Sequence, residues 1–201
     1  MKLFSTLALT FVITAAGTAQ AENPVWQSSY QFEAAGKYTE AINVIDPIPA
    51  NGADAEFKLM RRGWLYYLSG RYDESIREYR YAIERNKKSI DARLGILLPQ
   101  MAAKRWREAE QNANAALDLS PNNYTALLRL AVIFEAQKNW DEMAQVANTL
   151  VSSYPTDSSA YVYLARAKAW QNKTGEAYAA YSAVLVRYPG HLEAQAYVEK
   201  K

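Results

Sequence analysis

Gly70-Arg71-Tyr72-Asp73-Glu74-Ser75 has relatives elsewhere in its own chain. Thirty-four residues earlier stands Gly36-Lys37-Tyr38-Thr39-Glu40-Ala41, and thirty-four later Lys104-Arg105-Trp106-Arg107-Glu108-Ala109. The same step then reaches Lys138-Asn139-Trp140-Asp141-Glu142-Met143 and Asn172-Lys173-Thr174-Gly175-Glu176-Ala177. Glutamate recurs without a slip at Glu40, Glu74, Glu108, Glu142 and Glu176. Pro121, Pro155 and Pro189 keep the spacing, and Lys87 stands where the earlier copy would have its proline. A period of this length, held five times with no insertion, marks tandem structural units.

The apolar residues say what each unit is. Ala109, Ala113, Ala116 and Leu117 fall at offsets that place them on one side of an α-helix, and Ala177, Tyr181, Val184 and Leu185 repeat the stripe. A helical hairpin with one such stripe has nothing to bury it against, whereas copies stacked side by side cover one another. Small side chains at Gly63, Ala131 and Ala165, and at Ala41, Ser75, Ala109 and Ala177, let helix axes approach closely; Met143 is the bulky exception. The expected class is therefore all-α.

These residues resemble the tetratricopeptide repeat family, whose unit is a 34-residue helix-turn-helix. The resemblance implies a right-handed α-solenoid of five units, at about 22–55, 56–89, 90–123, 124–157 and 158–191, with a terminal capping helix over 191–201. Unit two fits best, through Gly63, Tyr66, Gly70, Tyr79 and Ala82. Unit one departs, because Pro47 and Pro49 should end its second helix early and leave a loop through Asn51-Gly52. Pro99 lies inside the first helix of unit three and predicts a kink or a shifted boundary.

Composition narrows the function. The chain has 201 residues, half of them apolar, a formal net charge of +2, one histidine and no cysteine. Thiolate zinc sites and cysteine nucleophiles are excluded, and histidine chemistry rests on His191 alone, which follows Pro189-Gly190 and reads as a surface or capping residue. No phosphate-cradling glycine loop, nucleophile elbow or paired ligand set is present, so the expectation is no enzyme, no cofactor and no metal. Lys2, the apolar run Leu3 to Ala16 and Ala19-Gln20-Ala21 match a cleaved secretory signal peptide over residues 1–21. The run is too short for a membrane span, which needs about 20 apolar residues. A secreted chain without cysteine fits a bacterial periplasm.

The family resemblance further implies that places 2, 5, 9, 12 and 13 of each unit face a concave groove. In unit one these include Trp26, Tyr30 and Glu33; in unit two they are Phe57, Met60, Trp64, Tyr67 and Leu68. Leu94, Leu98 and Met101 follow from unit three, then Leu128, Val132, Glu135, Val162, Arg166 and Trp170 from the last two. Some members of the family clamp a partner's terminal carboxylate with lysine and asparagine at such places. Here Trp26, Tyr30, Phe57, Met60 and Trp64 stand there instead, so a protein or peptide segment with apolar or aromatic side chains suits the lining better. The competing reading is that some of these side chains are plain core, and for Trp64 and Tyr67 the two readings stay open.

Charge is uneven: net −4 over residues 22–55, +7 over 56–107 and −2 over 108–201. The basic residues Arg61, Arg62, Arg71, Arg77, Arg80, Arg85, Lys87, Lys88, Lys104 and Arg105 form either a solvated convex face or a surface for an acidic protein or an anionic polysaccharide. Nucleic acid is not expected for a secreted chain. The repeated glutamates read as helix-start residues favoured by the dipole, with Asp73 and Asp141 as N-caps. Tyr38, Tyr72, Trp106 and Trp140 share one place and are expected to pack across the turn.

Two functions follow. The first is a periplasmic, non-catalytic scaffold in the cell envelope, gripping a protein or peptide in its groove. The alternative is a polysaccharide-binding or export accessory module beside an outer-membrane pore, since Leu164-Ala165-Arg166-Ala167-Lys168-Ala169-Trp170 is similar to repeats of exopolysaccharide exporters. Self-association through the N-terminal face stays open.

Overall fold

The computed structural model describes residues 24–200. The signal-peptide assignment lies outside the described residues. Eleven helices and no strand occur among those described: α1 Pro24–Ala34, α2 Tyr38–Asn43, α3 Ala55–Leu68, α4 Tyr72–Arg85, α5 Ile90–Ala102, α6 Trp106–Leu119, α7 Tyr124–Gln137, α8 Trp140–Ser153, α9 Ser158–Trp170, α10 Thr174–Arg187 and α11 Leu192–Glu199.

Each hairpin turns on the same backbone device. Gly36, Gly70, Lys104, Lys138 and Asn172, one period apart, all adopt positive φ between 57° and 76°. The following N–H reaches back five residues in every case, as from Arg71 to the Tyr66 carbonyl (2.8 Å) and from Asn139 to that of Phe134 (2.8 Å). This closes the first helix with a left-handed residue. Glycine holds the position freely, while a residue with a Cβ is strained there. The first helices of later units are opened by another periodic set: Ser89, Asn123, Asp157 and His191 each accept a backbone N–H of the first turn.

Helices stack in chain order, each packed on the next. The first helices also touch along the series, α3 on α5, α5 on α7 and α7 on α9, whereas the second helices make no comparable contact with one another. First helices therefore line the inside of the curve, and the molecule is an α-solenoid.

Packing is tightest around Tyr79 of α4. A Cβ built on Gly63 of α3 would stand 2.8 Å from its ring, and one on Gly95 of α5 would stand 2.2 Å from it. The ring thus fills space left by two missing side chains and locks three helices. Ser75 nearby donates to the Gly63 carbonyl at 2.6 Å. Ala41, Ala109, Met143 and Ala177 are fully buried, so the bulky Met143 is simply absorbed into the core with Leu97, Leu130 and Ile133.

The prolines act differently from one another. α2 stops at Asn43, and Ile45 and Ile48 of the following loop still reach the core. That loop is pinned from outside: Lys58 donates to the carbonyls of Asp46 (2.6 Å) and Ile48 (2.7 Å), and Arg85 to those of Ala50 and Gly52. Pro99 shifts no boundary, because α5 runs through it to Ala102. The residue four places before it is Gly95, whose carbonyl is the one a proline leaves without a partner.

Two measurements of the melting temperature test this account. Gly95→Ala forces the Tyr79 ring aside and should cost about 1–3 kcal/mol, lowering Tm. Lys138→Gly relieves a left-handed residue exposed to solvent and should raise stability by about 1 kcal/mol; a lower Tm would show that the lysine side chain, not the turn, governs this position.

Candidate functional site

At the N-terminal end of the concave face, Tyr30, Glu33, Phe57, Met60, Arg61 and Trp64 line a pocket of about 250 Å³. Arg61 forms its floor with 4% of its surface exposed. Its Nε donates to the Ser29 hydroxyl at 3.1 Å, one Nη pairs with Glu33, and the guanidinium lies 3.9 Å from the Tyr30 ring centre. The second Nη is buried without a hydrogen-bond partner. Trp64 donates its indole N–H to the other oxygen of Glu33 at 2.8 Å. Tyr30 is 49% and Phe57 39% exposed, and Trp26 packs its edge on Phe57 with ring centres 4.6 Å apart. Trp64 continues through Tyr67 to Tyr72 in a run of tilted rings.

The middle of the face is less open. Leu98 is half-buried. Met101 packs on the core around Leu97 and Met143, and Leu128 on the core around Leu127 and Leu150. Val162 departs from the groove expectation: it is 7% exposed among Ala165, Tyr181 and Val184, because its place on α9 turns toward α10.

At the C-terminal end Arg166 joins three helices. It pairs with Glu135 of α7 at 3.2 Å and Glu193 of α11 at 2.6 Å, and Tyr181 of α10 donates to Glu193 at 2.6 Å. Hydrogen bonding to Glu193 pushes the Arg166 pKa up, and the same bonds hold the Glu193 carboxyl below its ordinary 4.5. Burial, then the bond to Glu193, raises the Tyr181 phenol. Trp170 is 64% exposed and stacks in parallel on Trp140, ring centres 5.1 Å apart.

Several expectations are corrected. Asp73 and Asp141 are not caps, since the cap positions fall to Arg71 and Asn139, whose side chains make no capping bond. The two aspartates instead reach the next hairpin, Asp73 accepting from Arg105 (2.6 Å) and Asp141 from Gln171 (2.7 Å). The glutamates do sit in first turns; Glu74 is held below the usual carboxylate range chiefly by Arg71, and Glu176 chiefly by Lys168. Tyr38, Trp106 and Trp140 are half-buried and pack against the hydrophobic core as expected, and Tyr72 is half-buried beside Tyr67. Arg61 leaves the supposed outward basic face, being buried against Glu33, while Arg105 and Arg80 pair with acids of neighbouring helices.

Sequence reasoning missed the inward arginines Arg61 and Arg129 and the Tyr181–Glu193 pair. Arg61 and Arg129 occupy the same place two units apart, which was the available signal. Among the described residues no group of three or more histidine, cysteine or carboxylate side chains is arranged to hold a metal, and no helix is long and apolar enough to cross a membrane.

Tetratricopeptide repeat family models match residues 57–89, 100–170 and 159–191. No curated protein matches in sequence. Similar solved structures include a tetratricopeptide repeat protein from Parabacteroides merdae, 15% identical with a TM-score of 0.76, covering 88% of this chain and 70% of that one. YrrB, described as a tetratricopeptide protein with an unusual peptide-binding site, is 14% identical with a TM-score of 0.72 over 89% of this chain and 92% of its own. MamA protein is 15% identical with a TM-score of 0.73 over 86% and 92%. At these identities the likeness is one of fold.

Glu193 makes α11 acid-sensitive. Its folded pKa is depressed, so its contribution is complete above the unfolded value near 4.5 and is lost as pH falls through the lower folded value. Melting curves of the wild type should therefore exceed those of Glu193→Gln at pH 7, with the gap closing below about pH 4.5. A gap independent of pH would contradict the assignment.

Proposed function

The chain belongs to the tetratricopeptide repeat family, and on that premise we propose that it is a non-catalytic scaffold holding a protein or peptide segment against its concave face. The observation that carries this reading is the pocket of Tyr30, Phe57, Met60 and Trp64 over the buried Arg61. Large aromatic and aliphatic walls offer anchors for an apolar side chain. The named peptide-binding site of YrrB, a chain of similar fold, supports the same use. The leader-like residues 1–21 support a setting in the bacterial cell envelope.

One observation favours a second reading, a saccharide-handling module. Beside the exposed Trp170 and its partner Trp140 lies a hollow of about 480 Å³ lined by Lys138, Asn139, Asp141 and Gln171 among others, and the Gln171 side-chain oxygen is buried without a donor. An aromatic face with hydroxyl-pairing groups around it suits a sugar ring.

The test uses twelve-residue peptides selected by display on the wild-type protein. Phe57→Ala and Trp64→Ala should each weaken binding of a selected peptide by about tenfold or more with helical circular dichroism unchanged. Wild-type affinity in both variants would reject the groove. Binding of a β-1,4-linked glucose hexasaccharide, lost in Trp170→Ala, would instead support the saccharide reading.

A further inference from the structure

Three arginines point from first helices onto the concave face: Arg61 of α3, Arg129 of α7 and Arg166 of α9. Arg129 is placed there by its neighbours. One Nη donates to the Leu94 carbonyl on α5, and the ionisable groups near enough to act on it are the phenols of Tyr79 on α4 and Tyr67 on α3. A side chain from the fourth hairpin that meets the second and third together lies inside the curve.

The three differ in one respect. Arg61 is neutralised by Glu33, and Arg166 by Glu135 and Glu193. Arg129 has no carboxylate: among the described residues no Asp or Glu oxygen comes within 4.0 Å of its nitrogens. Burial pushes its pKa down, and only the phenols of Tyr79 and Tyr67 act against this. A partly desolvated cation supplied with one backbone carbonyl is an unfavourable arrangement in the free chain and becomes favourable when an anion arrives.

We propose that Arg129 is the anion-recognition point of the groove and that the bound peptide places an aspartate or glutamate side chain on it, with apolar neighbours reaching the Tyr30–Trp64 pocket. A side chain is favoured over a chain terminus by position. Arg129 lies between the Arg61 and Arg166 ends, so an extended peptide passes it in both directions rather than ending there. The proposal rests on the groove reading above and can fail independently of it.

The experiment selects twelve-residue peptides, displayed within a loop so that neither end is free, against the wild type and against Arg129→Gln. Wild-type selection should enrich an acidic residue at a fixed distance from an aromatic one, and selection on Arg129→Gln should lose the acid and keep the aromatic. A wild-type-selected peptide should bind Arg129→Gln about tenfold or more weakly, while the same peptide with its acid changed to the amide binds both proteins alike. Enriched peptides that depend on Trp64 but show no acidic preference overturn this proposal and leave the groove standing. No enrichment on the wild type rejects both. Arg129→Gln should also keep the wild-type Tm within about 3 °C; a larger fall assigns the side chain to joining α5 and α7 and overturns the recognition role.

Discussion

A helical hairpin of this sequence cannot bury its own apolar stripe, and every other feature of the molecule follows from borrowing the cover of its neighbour. The contact is closest where Tyr79 lies between the bare backbones of Gly63 and Gly95, and it is repeated more loosely by Ala109, Met143 and Ala177. Since first helices meet first helices along the series and second helices do not, the stack curves and leaves a concave face. The face is a by-product of packing. Its chemistry is free to vary.

That freedom is visible in the arginines. At both ends of the curve an inward guanidinium is tied to carboxylates of other hairpins, Arg61 to Glu33 and Arg166 to Glu135 and Glu193. Breaking such a pair leaves an uncompensated charge, so each pair ties one hairpin to another. At the turn edge Arg105 with Asp73 and Gln171 with Asp141 perform the same bridging in solvent, where it is worth little in energy but fixes side-chain direction. The aromatic pocket at one end and the Trp140–Trp170 stack at the other are then held on rigid supports.

Much of this was legible as letters. The period showed hairpins, the offsets of Ala109, Ala113 and Ala116 showed helices, and Pro47 with Pro49 announced the early end of α2. The places assigned to the groove found Tyr30, Phe57, Trp64 and Trp170 with large exposed or half-exposed rings, yet the same rule named Val162, which is core. A place number carries only an average direction around a helix, and a few tens of degrees separate a lining residue from a buried one. Asp73 and Asp141 misled for a related reason: the acidic letter fits a cap, but the left-handed residue three positions before puts the cap at Arg71 and Asn139, two residues earlier than that reading needs.

The sequence by itself determined the number of hairpins, their helical character and the positions of their turns, because these depend on periodicity and on backbone preferences acting within a few residues. Only the tertiary structure decided which arginine meets which carboxylate and which is left without one. Such pairing depends on side chains 28 to 31 residues apart, as in Arg61 with Glu33 and Arg166 with Glu135, meeting across a helix interface whose spacing no local preference encodes.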